Sequence, residues 1–237
     1  MLGSQPVPPL LVAGLLVIAT ACGSDHETGA RDPVETSTSD APATTPATTV
    51  TTPAPTTTDP ADRSVLYLGD SITVQASDAL RSATEGRVEI LAETGARTID
   101  LVDRAARAAE GKPDIVVFNV GTNDEACITV GGCSDGYLPT PDELALELEG
   151  LAALFPEACR VGVTITFGLD VPPIVNPTLH LMAEEGSLDS VADWAAHRLD
   201  AEPDDDPWLT DFMGHLSPSG ATALAALITT QVDETCR

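Results

Sequence analysis

Four separated stretches of this chain carry residue types that together can perform acyl transfer. Gly69-Asp70-Ser71 closes a short apolar run. Gly95 lies in Glu93-Thr94-Gly95-Ala96, and Asn123 in Gly121-Thr122-Asn123-Asp124. His215 follows Asp211 by four positions near the C-terminal end. Nucleophilic attack by a serine needs a base for its proton, a group that orients the base, and donors facing the developing oxyanion. Histidine suits the base because its pKa lies near neutral. Of the four histidines, His26 falls in a Thr/Pro-rich stretch, and His180 and His197 fall in or near helical segments with no matching motif. That leaves His215, in a loop before the last helix. Taken singly, each residue has a plainer use. Asp70 or Ser71 would cap a helix, Gly95 would turn the chain, Asn123 and Asp124 would make an Asx turn, and His215 would sit on the surface. Their order and setting decide between the two readings.

The setting comes from the elements between them. Apolar runs of strand length occur at Val65–Leu68, Val88–Ala92, Ile115–Val120 and Val161–Phe167, each bounded by Gly, Asp or Arg. Helix-like segments lie between and after them, over about 73–85, 98–110, 141–155, 187–199 and 218–232. Thr140-Pro141-Asp142-Glu143 supplies an N-cap, a proline at the first helical position and acids in the first turn. Ser217-Pro218 opens the last helix in the same way. Alternating strands and helices predict a parallel sheet covered on both faces. Right-handed crossovers then bring the strand ends to one edge, where open α/β sheets bind ligands. Ser71 follows the first strand, Gly95 the second, and Asn123 and Asp124 the third. A serine there has the N-terminal N–H groups of the next helix beside it. Gly132-Cys133-Ser134-Asp135-Gly136 offers a rival Gly-x-Ser-x-Gly motif. That motif needs a strand before it and a helix after it. Here it falls in a Gly-rich stretch between Cys127 and Pro139, so Ser134 is not expected to be a nucleophile.

The four blocks, in this order, resemble those of the SGNH (GDSL-type) hydrolases, over essentially all of residues 64–232. The resemblance implies a flavodoxin-like three-layer α/β/α sandwich with a mostly parallel sheet. It implies Ser71 as nucleophile and His215, followed by Leu-Ser-Pro-Ser-Gly, as general base. The oxyanion hole would be the Ser71 and Gly95 backbone N–H groups and the Asn123 side-chain amide. The family's last block places its Asp three residues before the His, whereas Asp211 stands four before. Asp211 is the expected orienting acid, with Asp206 or a backbone carbonyl as alternatives. Asp124 is expected to be structural. No metal or cofactor is implied.

Ahead of this domain the composition changes. Leu10–Ala21 is an apolar segment too short to span a membrane comfortably and suited to a signal-peptide core. It ends Ala19-Thr20-Ala21-Cys22-Gly23-Ser24, which resembles the lipobox of bacterial lipoproteins; residues 1–21 would be removed and Cys22 lipidated. Plain secretion with cleavage near Ala21 is the alternative. Residues 22–62 are dominated by Thr, Pro, Ala and Asp and cannot bury enough surface to offset ordering. They are expected to form a disordered tether, spanning on the order of 100 Å at about 3.1 Å per residue. Residues 63–237 suffice for one well-buried domain.

Charge and cysteine content narrow the function classes. The chain has 37 acidic against 11 basic residues, for a net charge of −26, and Lys112 is its sole lysine. Nucleic acid is excluded as a partner, because phosphate binding needs basic clusters. The acidic run Asp200, Glu202, Asp204, Asp205 and Asp206 reads as a solvated loop. Besides Cys22 there are Cys127, Cys133, Cys159 and Cys236. An even number in an exported chain suggests two disulfides, with three pairings possible. Cys127–Cys133, closing a short loop, and Cys159–Cys236, pinning the C-terminus to a strand start, are favoured over the others. No Cys-x-x-Cys spacing points to zinc. The loop 125–140 and the segment 168–186 are expected to wall a pocket, and Trp194 and Trp208 to pack in the core or under loops.

Three readings follow. The first is an extracytoplasmic serine esterase, held to the membrane by its lipid anchor alone. It would cleave O-acyl esters of a cell-envelope glycan or a lipid. The second is an O-acyltransferase using the same serine. The third is a non-catalytic wall-binding module, against which the intact Ser, Gly, Asn and His argue.

Overall fold

The computed structural model describes residues 59–133, 135–167, 173–211 and 214–237. The expected signal peptide, Cys22 and the tether up to residue 58 lie outside the described residues. A 3₁₀ turn, Pro60–Asp62, leads into β1 (Ser64–Gly69). There follow α1 (Ser71–Ala83), β2 (Arg87–Ala92), α2 (Thr98–Ala109), β3 (Ile115–Asn119) and α3 (Thr122–Val130). The second half adds α4 (Pro141–Ala153), β4 (Cys159–Val163), α5 (Val175–Glu184), β5 (Ser190–Ala192), α6 (Trp194–Ala201) and α7 (Pro218–Thr235).

The five strands form one parallel sheet in the order β2-β1-β3-β4-β5, the doubly wound flavodoxin-like arrangement. Strand alternation divides the core into two layers. Val65, Tyr67, Ile115, Val117, Val161 and Val163 face one way, onto Ile72, Ala76 and Leu80 of α1 and Leu224 and Ile228 of α7. Leu66, Leu68, Val116 and Phe118 face the other way, onto Leu101 of α2, Leu144, Leu148 and Leu151 of α4 and Leu179 of α5. β1 and β3 are apolar on both faces because helices cover both. Each such side chain contributes about 1.5–3 kcal/mol by leaving water.

The strand order also fixes where a crevice opens. The chain leaves β1 to build β2 on one side, then crosses back over β1 to build β3 on the other. The connections after β1 and β3 therefore diverge to opposite faces. The gap between them lies at the carboxyl ends, beside Gly69 and Asn119, which are register partners.

Four elements differ from the sequence expectation. Part of the segment read as a pocket wall, 125–140, belongs to helix α3. Its interior-facing residues include Asp124 and Glu125 beside Cys127, so no apolar stripe marks it. Much of 168–186 is likewise helical, as α5, with Pro177 tolerated because it falls in the first turn. The helix expected over 187–199 is a loop, the three-residue β5 and then α6, which starts at Trp194 behind an Asp193 N-cap. Three residues are too few to display a period. β4 ends at Val163 rather than at 167. Beyond it, Asn176 holds the backbone of Ile165 at both its N–H and its carbonyl, 2.8 and 2.9 Å, replacing a strand ladder.

Disulfides join Cys159 at the start of β4 to Cys236 at the end of α7, and Cys127 of α3 to Cys133 in the loop after it. Trp194 and Trp208 are buried and stacked on each other, ring centroids 5.4 Å apart. Among the described residues, no helix is long and apolar enough to cross a membrane.

Candidate active site

Ser71 is the first residue of α1, directly above the end of β1. The turn between them is tight for steric reasons: a Cβ on Gly69 would collide with the Thr73 side chain. Asp70 takes the N-cap, accepting the Ile72 N–H at 2.9 Å. Full burial pushes the Asp70 carboxyl up to about 6, partly offset by that N–H and by Thr122. Asp70 thus satisfies the helix end, while Ser71, 7% exposed, keeps its hydroxyl for other partners.

Those partners come from the C-terminal loop. His215 Nε2 stands 3.2 Å from Ser71 Oγ, and His215 Nδ1 stands 2.7 Å from Asp211 Oδ2. Asp211 also accepts the His215 backbone N–H at 3.3 Å. With Nδ1–H donating to the carboxylate, Nε2 presents its lone pair to the serine. Asp206, the other acid weighed for this role, accepts a hydrogen bond from Ser219 at 2.9 Å instead. The four-residue spacing works because the loop doubles back. Leu209 and Leu216 form an antiparallel bridge, and the His215 carbonyl accepts both the N–H and the hydroxyl of Thr210, at 2.7 and 3.1 Å. Gly214 turns with φ +80°, and a Cβ there would run into the Thr166 carbonyl. The loop stands on the core through Trp208, whose carbonyl accepts the Ser217 N–H at 2.9 Å. On the side of α1, the Leu216 N–H donates to Gln75 Oε1 at 2.6 Å.

The other side of the crevice is built from α3 and the turn after β2. Asn123 Nδ2 donates to the Ala96 carbonyl at 2.9 Å, tying it to the residue after Gly95. An amide nitrogen carries two hydrogens, so this bond leaves one for an acceptor in the crevice. Asp124, fully buried, accepts the Thr98 N–H at 3.0 Å and the Thr98 hydroxyl at 3.1 Å. It thereby fastens the start of α2 to the start of α3. Burial pushes its carboxyl above the ordinary range. The Tyr137 hydroxyl lies 3.1 Å from Asp124 and 2.7 Å from Glu147, and its ring lies under the Arg97 guanidinium, 4.3 Å from centre to centre. Arg97 pairs with Asp100 and Asp135, so the loop after α3 is laced to the start of α2. Glu125, also buried, accepts the Val175 N–H at 3.0 Å and so caps α5.

Ser71, His215 and Asp211 are thus in hydrogen-bond contact, and Asn123 is joined to the Gly95 turn across the next strand end. Gln75, Thr210, Thr98 and Tyr137 are supporting residues that motif reading passed over. The one sequence signal for Gln75 is its spacing, four residues after Ser71 and therefore on the same face of α1. Ser134 of the rival motif lies outside the described residues, and its neighbours form a loop between α3 and α4.

No family model and no curated sequence matches the chain. Solved structures do match by shape. An α/β hydrolase from the metagenome of Lake Arreo, Spain, superposes with a TM-score of 0.60 at 18% identity, over 73% of this chain and 96% of that one. An acetylxylan esterase of Geobacillus stearothermophilus gives 0.56 at 19%, over 71% and 93%. The C-terminal catalytic domain of peptidoglycan O-acetyltransferase A from Streptococcus pneumoniae gives 0.54 at 19%, over 73% and 94%. At these identities the likeness establishes the fold.

Proposed function

We propose that this protein is a serine esterase that hydrolyses O-acyl esters through an acyl-Ser71 intermediate. The reading rests chiefly on the contact of Ser71 with His215 and of His215 with Asp211. In the first half-reaction His215 Nε2 takes the Ser71 proton as Oγ bonds to the ester carbonyl carbon. The carbonyl electron pair moves to oxygen, which is met by the Ser71 N–H at the positive end of α1, the Gly95 N–H and the Asn123 amide. The tetrahedral centre collapses, the carbon–alkoxide bond breaks, and the alcohol departs with the proton from His215. Water repeats the sequence on the acyl-serine and releases the acid. Asp211 holds the imidazole in the tautomer that makes Nε2 a base and stabilises the imidazolium that forms.

Two of the fold neighbours are described as an acetylxylan esterase and a peptidoglycan O-acetyltransferase. Both names point to acetyl groups on glycans, which supports short acyl esters of a cell-envelope glycan as the substrate class proposed here, with lipid esters as the other candidate. The second name keeps an acyltransferase as the alternative, in which a sugar hydroxyl replaces water in the second half-reaction. Purified protein turned over on p-nitrophenyl acetate, butyrate and octanoate, beside Ser71→Ala, tests the mechanism; equal rates for the two proteins would overturn it. Adding a glycan acceptor and looking for acylated sugar separates transfer from hydrolysis. The proposal includes export, removal of residues 1–21 and lipidation at Cys22, with residues 22–62 as tether to the domain at 63–237. A Cys22→Ser chain that still fractionates with membranes would count against the anchor.

A further inference from the structure

Gln75 is exposed on α1, yet its side-chain oxygen is committed to the backbone of the residue after the base: Leu216 N–H donates to it at 2.6 Å. Leu216 itself is 8% exposed, so its N–H needs a partner within the protein. The loop's own closures, Leu209 with Leu216 and Thr210 with His215, hold the loop to itself and do not fix it against the serine. Leu216 and Trp208 share a core cluster with Ile72 and Ala76 of α1, a contact without direction, and Gln75 adds a directional tie. It lies four residues after Ser71 on one rigid helix, so the nucleophile and the clamp are on the same face, one turn apart.

We infer that Gln75 is a positioning residue that sets the separation of His215 Nε2 from Ser71 Oγ by fastening the His215–Leu216 peptide to the nucleophile's own helix. The device makes one helix the common reference for both reacting groups. Motion of α1 then carries the base along with the serine. The inference rests on Ser71 and His215 acting as nucleophile and base.

The test uses Gln75→Met and Gln75→Leu, which keep side-chain bulk and helix propensity but lack the oxygen, and Gln75→Glu, which keeps an oxygen at the same reach. Turnover of p-nitrophenyl acetate is measured at pH 8, with hydrogen exchange at the Leu216 amide followed by NMR. The expected result is a kcat about 10- to 100-fold lower in both apolar variants with KM within about twofold, since misplacement of the base slows chemistry and not binding. Glu is expected to restore kcat to within a few-fold of wild type, and Leu216 to exchange about tenfold faster in the Met and Leu variants only. Wild-type kcat in both apolar variants, or failure of Glu to restore it, would overturn the inference. Unchanged Leu216 exchange in the Met variant would overturn it by a route independent of activity. Should the wild type cleave no ester while Leu216 protection still depends on Gln75, the esterase reading falls and the clamp stands.

Discussion

The two sides of the crevice are engineered in opposite ways. The side proposed to hold the oxyanion is made from the first turns of α1, α2 and α3 and the turn after β2. Two of its ties are buried, Asp124 to Thr98 and Asp70 to Ile72, and a third, Asn123 to Ala96, is part-buried. The side proposed to supply the base is a short doubled-back loop. There the His215 side chain is 30% exposed and the Asp211 side chain 40%. Donors that must meet a charge at a fixed point benefit from being frozen, because reorganising them costs barrier height. A base that must pick up and hand over protons has to exchange with water and leaving alcohol, and a loop allows that. One side of the site therefore couples strongly to fold stability, and the other weakly.

Substitutions can break this contrast or sharpen it. The largest effect expected is in His215→Ala, where kcat on p-nitrophenyl acetate should fall by about 10³-fold or more with little change in melting temperature. Asn123→Ala should cost about 10²- to 10³-fold in kcat and some stability, because its tie to Ala96 goes too. Parallel calorimetry and kinetics check both, and a base-side variant that unfolds would break the comparison.

Next come the two carboxylates. Asp211→Asn should cost about 10²-fold in kcat and leave melting within a few degrees, as an exposed side chain contributes little to stability. Asp124→Ala should do the reverse in kind. While the Tyr137 hydroxyl keeps Glu147, the Thr98 N–H and hydroxyl lose their buried acceptor, costing about 3 kcal/mol. For a domain of this size that is on the order of 10 °C. Thermal melts of the two variants side by side distinguish the regions.

The smallest effect is a pH dependence at Asp70. Its carboxyl is raised to about 6 in the folded chain, so the folded state holds a proton that the unfolded state releases near the usual carboxylate range. Stability from this group is complete below about pH 4 and is lost as pH rises to about 6. Asp70→Asn keeps a capping side chain without the charge. Its stability relative to wild type should rise between pH 4 and 6, then level off. Urea titrations across that range measure it, and a flat difference would mean that the carboxylate is not desolvated.

Much of this arrangement is legible in the amino-acid sequence. The β1 and β3 runs were readable because both faces are buried, which makes them unbroken apolar stretches. The α4 and α7 starts were readable because Thr140 and Ser217 cap them and Pro follows at the first position. α3 was not readable, since it turns Asp124 and Glu125 inward to hold neighbouring backbone, and buried acids look like surface acids in a sequence. β5 was not readable because it is three residues long and held by its neighbour β4.

The alternation of strand and helix follows from the amino-acid sequence alone, and with it the edge on which Ser71, Gly95 and Asn123 emerge. The sequence also marks His215 as the histidine expected at that edge. Which acid meets the imidazole depends on the tertiary structure. Asp211 and Asp206 are both near in sequence, and the bridge between Leu209 and Leu216 folds Asp211 back onto His215 while Asp206 turns to Ser219. It alone decided that Gln75 reaches the Leu216 peptide, 141 positions away. The reason is physical: periodicity and caps are local properties of a chain, whereas the meeting of a loop with a helix depends on how both pack on a shared core.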